Sequence, residues 1–237
     1  MITIKNLSKS YHHQKVLDRV ELTIPQESIF ALLGPNGSGK TTLLKSLLGI
    51  VRPAPNTEII LNQHSVFGSK AFKEQVGYMP QFPKFLPHLT VKEIISLFEK
   101  LRKKKGLHKD VLIRDLEMDS FWTKPFGELS GGMAQKVNIL CCFMFDPLLF
   151  ILDEPTLGLD PQITFYLKRL ILKKKESGKT VLFTSHIMSE VEELADQMAL
   201  LVEGKIYAVI SPNELKKQKN AASLEVALNQ FWNTIKK

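Results

Sequence analysis

The residues best suited to chemistry lie between Gly34 and Thr41, where the sequence reads Gly-Pro-Asn-Gly-Ser-Gly-Lys-Thr. A chain of phosphates is bound by a ring of inward-pointing backbone N–H groups, and glycines let the main chain bend closely enough to form that ring. Lys40 could reach the outer phosphate oxygens, and the hydroxyl of Thr41 could bind magnesium. A simple glycine-rich turn is the alternative, but the strand expected before the loop and the helix expected after it favour a nucleotide-binding site. The residues of that site would be Gly34, Pro35, Asn36, Gly37, Ser38, Gly39, Lys40, Thr41 and Thr42.

A second motif places two neighbouring carboxylates after an apolar run, Leu148 to Leu152. Such a run is typical of a buried parallel strand, and open α/β sheets bind their ligands at the carboxyl ends of these strands. Asp153 is suited to holding magnesium, directly or through water, while Glu154 could orient or deprotonate an attacking water. The alternative is a solvated strand end without chemistry. Beside the phosphate-binding loop, the pair predicts hydrolysis of a nucleotide phosphate.

A third motif, Ser130 followed by Gly131 and Gly132, begins a helical segment that runs to about Phe145. The Ser130 side chain is expected to cap the helix, and the two glycines leave backbone N–H groups exposed. This combination predicts a second anion-binding site in the chain. A plain helix cap without a ligand is the alternative.

The elements expected around these motifs are those of an α/β protein. Thr90 and Glu93 form a capping box before an apolar helical stripe, and Asp160 is expected to cap a helix with Pro161 in its first position. A loop containing Tyr11 is expected between the first two strands. The predicted strands are Ile2 to Leu7, Val20 to Ile24, Ser28 to Leu33, Glu58 to Asn62, Gly77 to Met79, Leu148 to Leu152 and Thr180 to Thr184.

One domain is expected to include all of residues 1–237, because no internal repeat or low-complexity linker divides the sequence. A helical insert is expected over about residues 82–145, and a short C-terminal helical tail over about 211–237. With 44% hydrophobic residues the chain can bury a sizeable core. Cys141 and Cys142 are neighbours in an apolar stretch, so packing in that core is expected rather than a disulfide or a metal site.

Charge and hydropathy limit where the protein can be located and which partners it can bind. The longest apolar stretch, Ile139 to Leu152, is interrupted by Asp146 and Pro147, so a membrane-spanning helix is not expected. The N-terminus lacks the pattern of a secretory signal, and a cytosolic location is expected. The net charge of +8 comes largely from short lysine runs, which are typical of solvated helix faces, with an anionic membrane surface or nucleic acid as alternative partners.

The motifs, in this order, resemble those of the ATP-binding subunits of ABC transporters over about residues 1–210. The resemblance implies a P-loop NTPase of the ABC ATPase fold, with a RecA-like core, an antiparallel β subdomain and a helical insert. It also implies that the protein binds ATP and Mg²⁺ and hydrolyses ATP. The matching segments are GPNGSGKT at 34–41, Gln81, LSGG at 129–132, ILDEP at 151–155, Gly158 to Asp160, and His186.

The resemblance implies roles for residues that would otherwise be read as packing, turn or cap residues. It implies that Tyr11 stacks on adenine beside Val16, that Gln81 contacts magnesium and the attacking water, and that His186 contacts the γ-phosphate. Glu154, His186 and Gln81 would then be the catalytic residues. The implied magnesium ligands are Thr41, Gln81 and Asp153.

The segment from Ser130 to Gly132 matches the family's signature, which implies that it binds the γ-phosphate of ATP held by a second subunit. Two chains would then form a head-to-tail dimer around two ATP molecules. Met133 departs from the family pattern, which usually has glutamine at this position, so the hydrogen bonds of that side chain are not expected here.

The implied partner is a transmembrane permease on a separate chain, which would hold the protein at the cytoplasmic face of the cell membrane. No nucleic-acid partner is expected. Helical inserts of this family dock a short cytoplasmic helix of the permease near the glutamine loop. Apolar residues of this stretch could line that socket, with ordinary core packing as the alternative; they are Phe82, Pro83, Phe85 and Leu86.

The short insert and tail resemble those of ATPases that serve ABC-2-type exporters. The residues from Ser130 to Asp160 also resemble the copper-processing ATPase of nitrous oxide reductase maturation. The alternative from another class is a soluble ABC ATPase that remodels a protein or ribonucleoprotein partner.

Overall fold

The strands form two sheets in the described part of this computed structural model, residues 1–12, 14–67 and 70–235. They are β1 Ile2–Tyr11, β2 Gln14–Ile24, β3 Ile29–Leu33, β4 Glu58–Leu61, β5 His64–Ser65, β6 Val76–Met79, β7 Leu149–Asp153, β8 Thr180–Thr184, β9 Gln197–Val202 and β10 Lys205–Ile210. The first sheet is antiparallel, with the order β2-β1-β4-β5, and the second has the order β10-β9-β3-β8-β7-β6. The expected antiparallel subdomain and α/β core are therefore both present.

The second sheet is the core of the fold because its central strands are apolar on both faces. Every residue of β3, β7 and β8 is buried, and these strands run parallel to one another. Successive side chains of a strand point to opposite faces. Ile29, Ala31 and Leu33 of β3 accordingly belong to one buried cluster, while Phe30 and Leu32 belong to the other.

The helices begin where the sequence supplies a capping side chain. Thr90 Oγ1 accepts a hydrogen bond from the Glu93 backbone N–H at 3.2 Å, and Asp160 Oδ1 accepts one from Ile163 at 2.9 Å. Such caps satisfy backbone donors that have no partner inside the helix. The helices are α1 Lys40–Leu47, α2 Lys70–Glu74, α3 Val91–Arg102, α4 Lys109–Asp115, α5 Gly131–Phe143, α6 Pro161–Glu176, α7 Met188–Leu194, α8 Pro212–Lys219 and α9 Leu224–Ile235, with 3₁₀ turns at Asp119–Phe121 and Phe126–Glu128.

Helices α3 to α5 occupy the stretch in which a helical insert was predicted. Helix α5 attaches this stretch to the sheet, because the Phe143 ring stacks on the Phe150 ring of β7 at 4.7 Å between centroids. Cys141 and Cys142 on the same helix are buried in the core, as the sequence predicted. Burial raises the pKa of both thiols well above the usual value.

One expectation about the elements was wrong. Tyr11 is the last residue of β1 and pairs with Gln14, so it belongs to a hairpin rather than to a loop between shorter strands. The stretch predicted as a C-terminal helical tail contains two helices, α8 and α9, because Asn220 takes a left-handed φ of 47° and ends α8. Residues 236 and 237 of the predicted tail lie outside the described residues. Within the described ranges, no helix is both long and apolar enough to cross a membrane.

Candidate active site

The carboxyl ends of the parallel strands bring the predicted motifs together. Asp153, at the end of β7, is the register partner of Thr184, at the end of β8, and Thr184 also pairs with Leu32 of β3. The phosphate-binding loop, the two carboxylates and His186 therefore leave the sheet side by side. Strand β6 pairs with the other side of β7, so Gln81 leaves from the same edge.

A cavity of about 640 Å³ lies at this edge, a volume typical of small-molecule sites. It is also lined by two residues that sequence reasoning missed, Gln14 and Leu157. Neither residue type carries a chemical signal, and only the hairpin pairing of Gln14 with Tyr11 brings it here. Gly34 and Pro35 do not line it. The predicted residues that do are Tyr11, Val16, Asn36, Gly37, Ser38, Gly39, Lys40, Thr41, Thr42, Gln81, Asp153, Glu154 and His186.

Glycine is required at two positions of the phosphate-binding loop. A Cβ atom on Gly34 would lie 2.1 Å from the carbonyl oxygen of Leu201 in β9. Gly39 has a φ of 107°, and a Cβ there would lie 2.8 Å from Leu17 Cδ2. The loop is therefore packed against β9 and β2 with no room for side chains at these positions.

Polar groups in the loop suit an anionic ligand. Lys40 Nζ donates hydrogen bonds to the carbonyl oxygens of Gly34 at 2.7 Å and Pro35 at 3.1 Å. Burial lowers the pKa of the Lys40 ammonium, and the charges of Glu154 and Asp153 oppose that shift. The buried hydroxyl of Ser38 has no hydrogen-bond partner among the described residues. A buried hydroxyl without a partner is costly, so Ser38 together with the ammonium fits a phosphate chain as the missing partner.

The carboxylate of Asp153 is buried and held by its neighbour on the next strand. Thr184 Oγ1 donates a hydrogen bond to Asp153 Oδ1 at 2.7 Å. Burial, with the nearby charge of Asp153, raises the pKa of Tyr78 to about 12. Within the described ranges no three His, Cys, Asp or Glu side chains form a metal cluster. The set predicted for magnesium, Thr41, Gln81 and Asp153, contains one carboxylate, which fits an ion that keeps several waters.

Glu154 combines an unusual backbone with a contact to His186. Its φ is 49°, in the left-handed region that non-glycine residues rarely adopt. The Glu154 backbone N–H donates to Thr184 Oγ1 at 3.0 Å, and Glu154 Oε1 lies 2.7 Å from His186 Nε2. The structure thus joins the two residues that the sequence predicted separately for hydrolysis.

The opposite end of the cavity is formed by the hairpin of β1 and β2. The Tyr11 side chain is 43% exposed, with Lys9 Nζ 5.2 Å from the ring centroid. The turn between β9 and β10 joins this hairpin to the phosphate-binding loop, because the Gly204 N–H donates to Ser38 O at 3.0 Å and the Gly204 carbonyl oxygen accepts from Asp18 N–H at 2.9 Å. This contact was not predicted from the sequence.

The Ser130 segment lies outside the cavity. Ser130 Oγ caps α5 by accepting a hydrogen bond from the Met133 backbone N–H at 3.3 Å. A Cβ atom on Gly132 would be 3.8 Å from the carbonyl oxygen of Gly158, while one on Gly131 would meet nothing within 4 Å. Ser130 and Gly131 are exposed. Their backbone donors are therefore accessible to a ligand brought by another molecule.

Two buried amides on α5 tie this helix to the cavity, and sequence reasoning missed both. Gln135 Nε2 donates to the carbonyl oxygens of Gln81 at 2.8 Å and Leu157 at 3.4 Å. Asn138 Nδ2 donates to Pro80 O at 2.8 Å and to Gln135 Oε1 at 2.9 Å. Their one signal is the placement of polar residues on an otherwise apolar helix. They fix the loop that carries Gln81 to the middle of α5.

The apolar residues after Gln81 divide between surface and core. Phe82 and Leu86 are 64% and 55% exposed. Phe85 instead packs edge-on against Phe98 at 5.9 Å and Phe126 at 5.0 Å. The stretch therefore offers apolar surface through Phe82 and Leu86, while Phe85 belongs mainly to the core of the insert.

Comparisons with known proteins agree with this geometry. The family model described as ABC transporter matches residues 17–157. The bacitracin transport ATP-binding protein BcrA of Bacillus licheniformis is 33% identical over 97% of this chain and 75% of its own length. The Nod factor export ATP-binding protein I of Burkholderia lata is 32% identical over 90% of this chain and 72% of its own. A solved ATP-binding subunit of an ABC transporter superposes with a TM-score of 0.89, is 28% identical, and aligns over 97% of this chain and 98% of its own.

Proposed function

The chain belongs to the ABC transporter ATP-binding family, and we propose that it hydrolyses ATP as the energy-supplying subunit of an exporter, in a dimer that drives a separate permease. The observation that carries the proposal is the shared cavity. It joins the phosphate-binding loop to Glu154 and His186, while the Ser130 segment lies outside it. Such a site can bind a nucleotide in one chain and is completed by a second.

We infer that ATP lies along the cavity from Tyr11 to the phosphate-binding loop. The exposed Tyr11 ring offers a flat face for adenine, with Val16 beside it in the same cavity wall. At the other end, backbone N–H groups at the start of α1, the Lys40 ammonium and the Ser38 hydroxyl are suited to the phosphates. Lys40 would exchange its carbonyl partners for phosphate oxygens.

Magnesium would be held by Thr41, Gln81 and Asp153, all of which line the cavity. The ion, when bound, would neutralise charge on the β- and γ-phosphates. Thr184 would keep the Asp153 carboxylate directed to this site, since its hydroxyl already donates to Oδ1.

Glu154 is suited to act on the attacking water. A carboxylate has two acceptor oxygens, so Oε2 can accept a hydrogen bond from water while Oε1 contacts His186. Glu154 would orient that water and take its proton as the oxygen attacks the γ-phosphorus. His186 would hold the carboxylate in this direction and lie within reach of the γ-phosphate.

The Ser130 segment supports a head-to-tail dimer around two ATP molecules. Its exposed backbone donors lie at the N-terminus of α5, where an anion is favoured. Because they do not line the cavity of their own chain, we infer that they bind the γ-phosphate held by the partner chain.

We infer that the permease docks beside Gln81, where Phe82 and Leu86 are exposed. Docking there would hold the protein at the cytoplasmic face of the cell membrane. Gln135 would transmit the contact inwards, because it joins the Gln81 loop to Leu157 at the cavity wall. The name of the Nod factor export ATP-binding protein supports a role in export. The copper-processing role stays a prediction from the sequence.

The test is Mg²⁺-dependent release of phosphate from ATP by the purified chain and by two lysine variants. Lys40→Ala should lose ATP binding and hydrolysis, because the phosphate charges lose their fixed counterion. Lys45→Ala, an exposed lysine on the same helix, is the matched control and should keep both activities. Equal rates for wild type and Lys40→Ala would refute the proposal.

A further inference from the structure

A buried carboxylate outside the cavity joins the loops on which Glu154 and His186 lie. Glu190 is on α7 and is only 4% exposed. Its Oε2 accepts hydrogen bonds from Thr156 Oγ1 at 2.9 Å and from Ser185 Oγ at 3.0 Å. An ionised carboxylate is acceptor-only and can take both donors on one oxygen. Burying that charge is costly unless the bonds are made, so the arrangement is tightly specified.

Both donors are close in sequence to the pair that the proposed hydrolysis uses. Thr156 lies in the loop that follows Glu154, and Ser185 directly precedes His186. Ser185 Oγ also accepts the Ile187 backbone N–H at 3.0 Å, which fixes the other side of His186. Glu190 thus sets how far apart the two loops lie.

The distance between the loops matters because Glu154 does not hold its own position. Its left-handed φ of 49° persists only where the surroundings enforce it. The Glu154–His186 contact at 2.7 Å likewise depends on where each loop is anchored. One anchor is the Thr184 hydroxyl inside the sheet, and the other is Glu190 beneath the two loops.

We propose that Glu190 is a positioning residue, which aligns Glu154 with His186 by binding Thr156 and Ser185 together. This inference rests on the proposed ATP hydrolysis. Among the described residues Glu190 makes no hydrogen bond or ion pair to the phosphate-binding loop or to Tyr11, and it does not line the cavity, so it acts on hydrolysis and leaves nucleotide binding unchanged.

The first experiment compares Glu190→Gln with Glu193→Gln in the full chain. Glutamine keeps the volume of Glu190 but removes the charge that accepts two hydroxyl donors. Glu190→Gln should lower kcat about tenfold or more, with the KM for ATP changed less than about twofold. Glu193 is the control because it is on the same helix, is half exposed and pairs with Lys168 at 2.8 Å. An unchanged kcat in Glu190→Gln would overturn the proposal.

A double-mutant cycle separates positioning from simple support of the fold. His186→Ala removes the residue through which Glu190 acts, so Glu190→Gln should lower kcat little further in that background. If Glu190→Gln lowers kcat by the same factor in the wild-type and in the His186→Ala background, the proposal is overturned. If His186→Ala and Glu154→Gln both hydrolyse ATP at the wild-type rate, the catalytic roles of this pair fail together with the positioning role, whereas the proposed function fails only if wild type and Lys40→Ala release phosphate at equal rates. If His186→Ala and Glu154→Gln lose hydrolysis as expected but Glu190→Gln keeps the wild-type kcat, only the positioning role of Glu190 is overturned.

A second variant keeps the test decisive if Glu190→Gln does not fold. Thr156→Val has nearly the same shape and removes one of the two donors from Glu190. It should show the same fall in kcat at unchanged KM, and the same dependence on His186, with a thermal midpoint that confirms folding. A folded Thr156→Val with wild-type kcat would overturn the proposal.

Discussion

His186 Nε2 and Glu154 Oε1 lie 2.7 Å apart, at the ends of neighbouring parallel strands. The contact holds one carboxylate oxygen of Glu154, a residue that lines the cavity. The Glu154 side chain is mostly buried, so few alternative directions compete with this one. The protein's own contacts therefore fix the geometry of the pair, and a preorganised geometry of this kind reduces the reorganisation needed for hydrolysis.

Glu154→Gln should bind ATP but hydrolyse it about 10² to 10⁴ times more slowly, because an amide cannot accept the proton of the attacking water. ATP should then hold two chains together, and size-exclusion chromatography with ATP should show a dimer. Glu176→Gln, an exposed carboxylate at the end of α6, is the control and should elute as wild type does. Rapid turnover by Glu154→Gln would remove Glu154 from the role of base.

Asp153→Asn should weaken the binding of Mg²⁺ at the site more than it weakens the binding of ATP itself. The substitution keeps the shape that Thr184 contacts but removes the one carboxylate of the predicted magnesium site. The Mg²⁺ concentration for half-maximal hydrolysis should rise at least about tenfold. Hydrolysis measured across a Mg²⁺ titration tests this, with the exposed Asp110→Asn as control. An unchanged titration would exclude Asp153 as a ligand.

Gln135→Leu should weaken the link between the Gln81 loop and the cavity wall. The apolar side chain leaves the carbonyl oxygens of Gln81 and Leu157 without their donor, which should reduce the free energy of unfolding by about 1–3 kcal/mol. Chemical denaturation measures this loss, and the exposed Gln218→Leu should change little. Equal stability of the two variants would show that the amide is not a structural link.

The sequence predicted what depends on neighbouring residues and missed what depends on distant ones. The caps at Thr90 and Asp160 were predicted because each is completed within one helical turn. Gln135 and Glu190 were missed because their partners lie on other elements. The local sequence of a helix does not indicate which distant group a buried polar residue will bind. Tyr11 was placed in a loop because the hairpin extends the strands beyond their apolar residues.

The site was predictable in its residue types but not in its arrangement. Strand ends, glycines and carboxylates indicated a nucleotide site, since parallel strands deliver such residues to one edge. The contact of Glu154 with His186 needed the register of β7 and β8, which no local pattern determines. The exposure of Phe82 near a partly buried Phe85 likewise depended on how the insert packs.

Phe82→Asp combined with Leu86→Asp should separate the protein from its membrane partner without stopping ATP hydrolysis by the purified chain. Both side chains are exposed, so a charge costs little in the isolated protein but would be buried at an apolar interface. Phe85 is a poorer choice because it packs against Phe98 and Phe126, and a charge there should unfold the insert.

The measurements are co-purification of the tagged chain with membranes and ATP hydrolysis by the chain after purification. The double variant should no longer co-purify with membranes but should hydrolyse ATP near the wild-type rate. Leu107→Asp is the matched control, because Leu107 is 74% exposed between α3 and α4 and should leave both properties unchanged. Loss of hydrolysis together with membrane association would mean that Phe82 and Leu86 support the fold. Retained association would place the permease contact elsewhere on the chain.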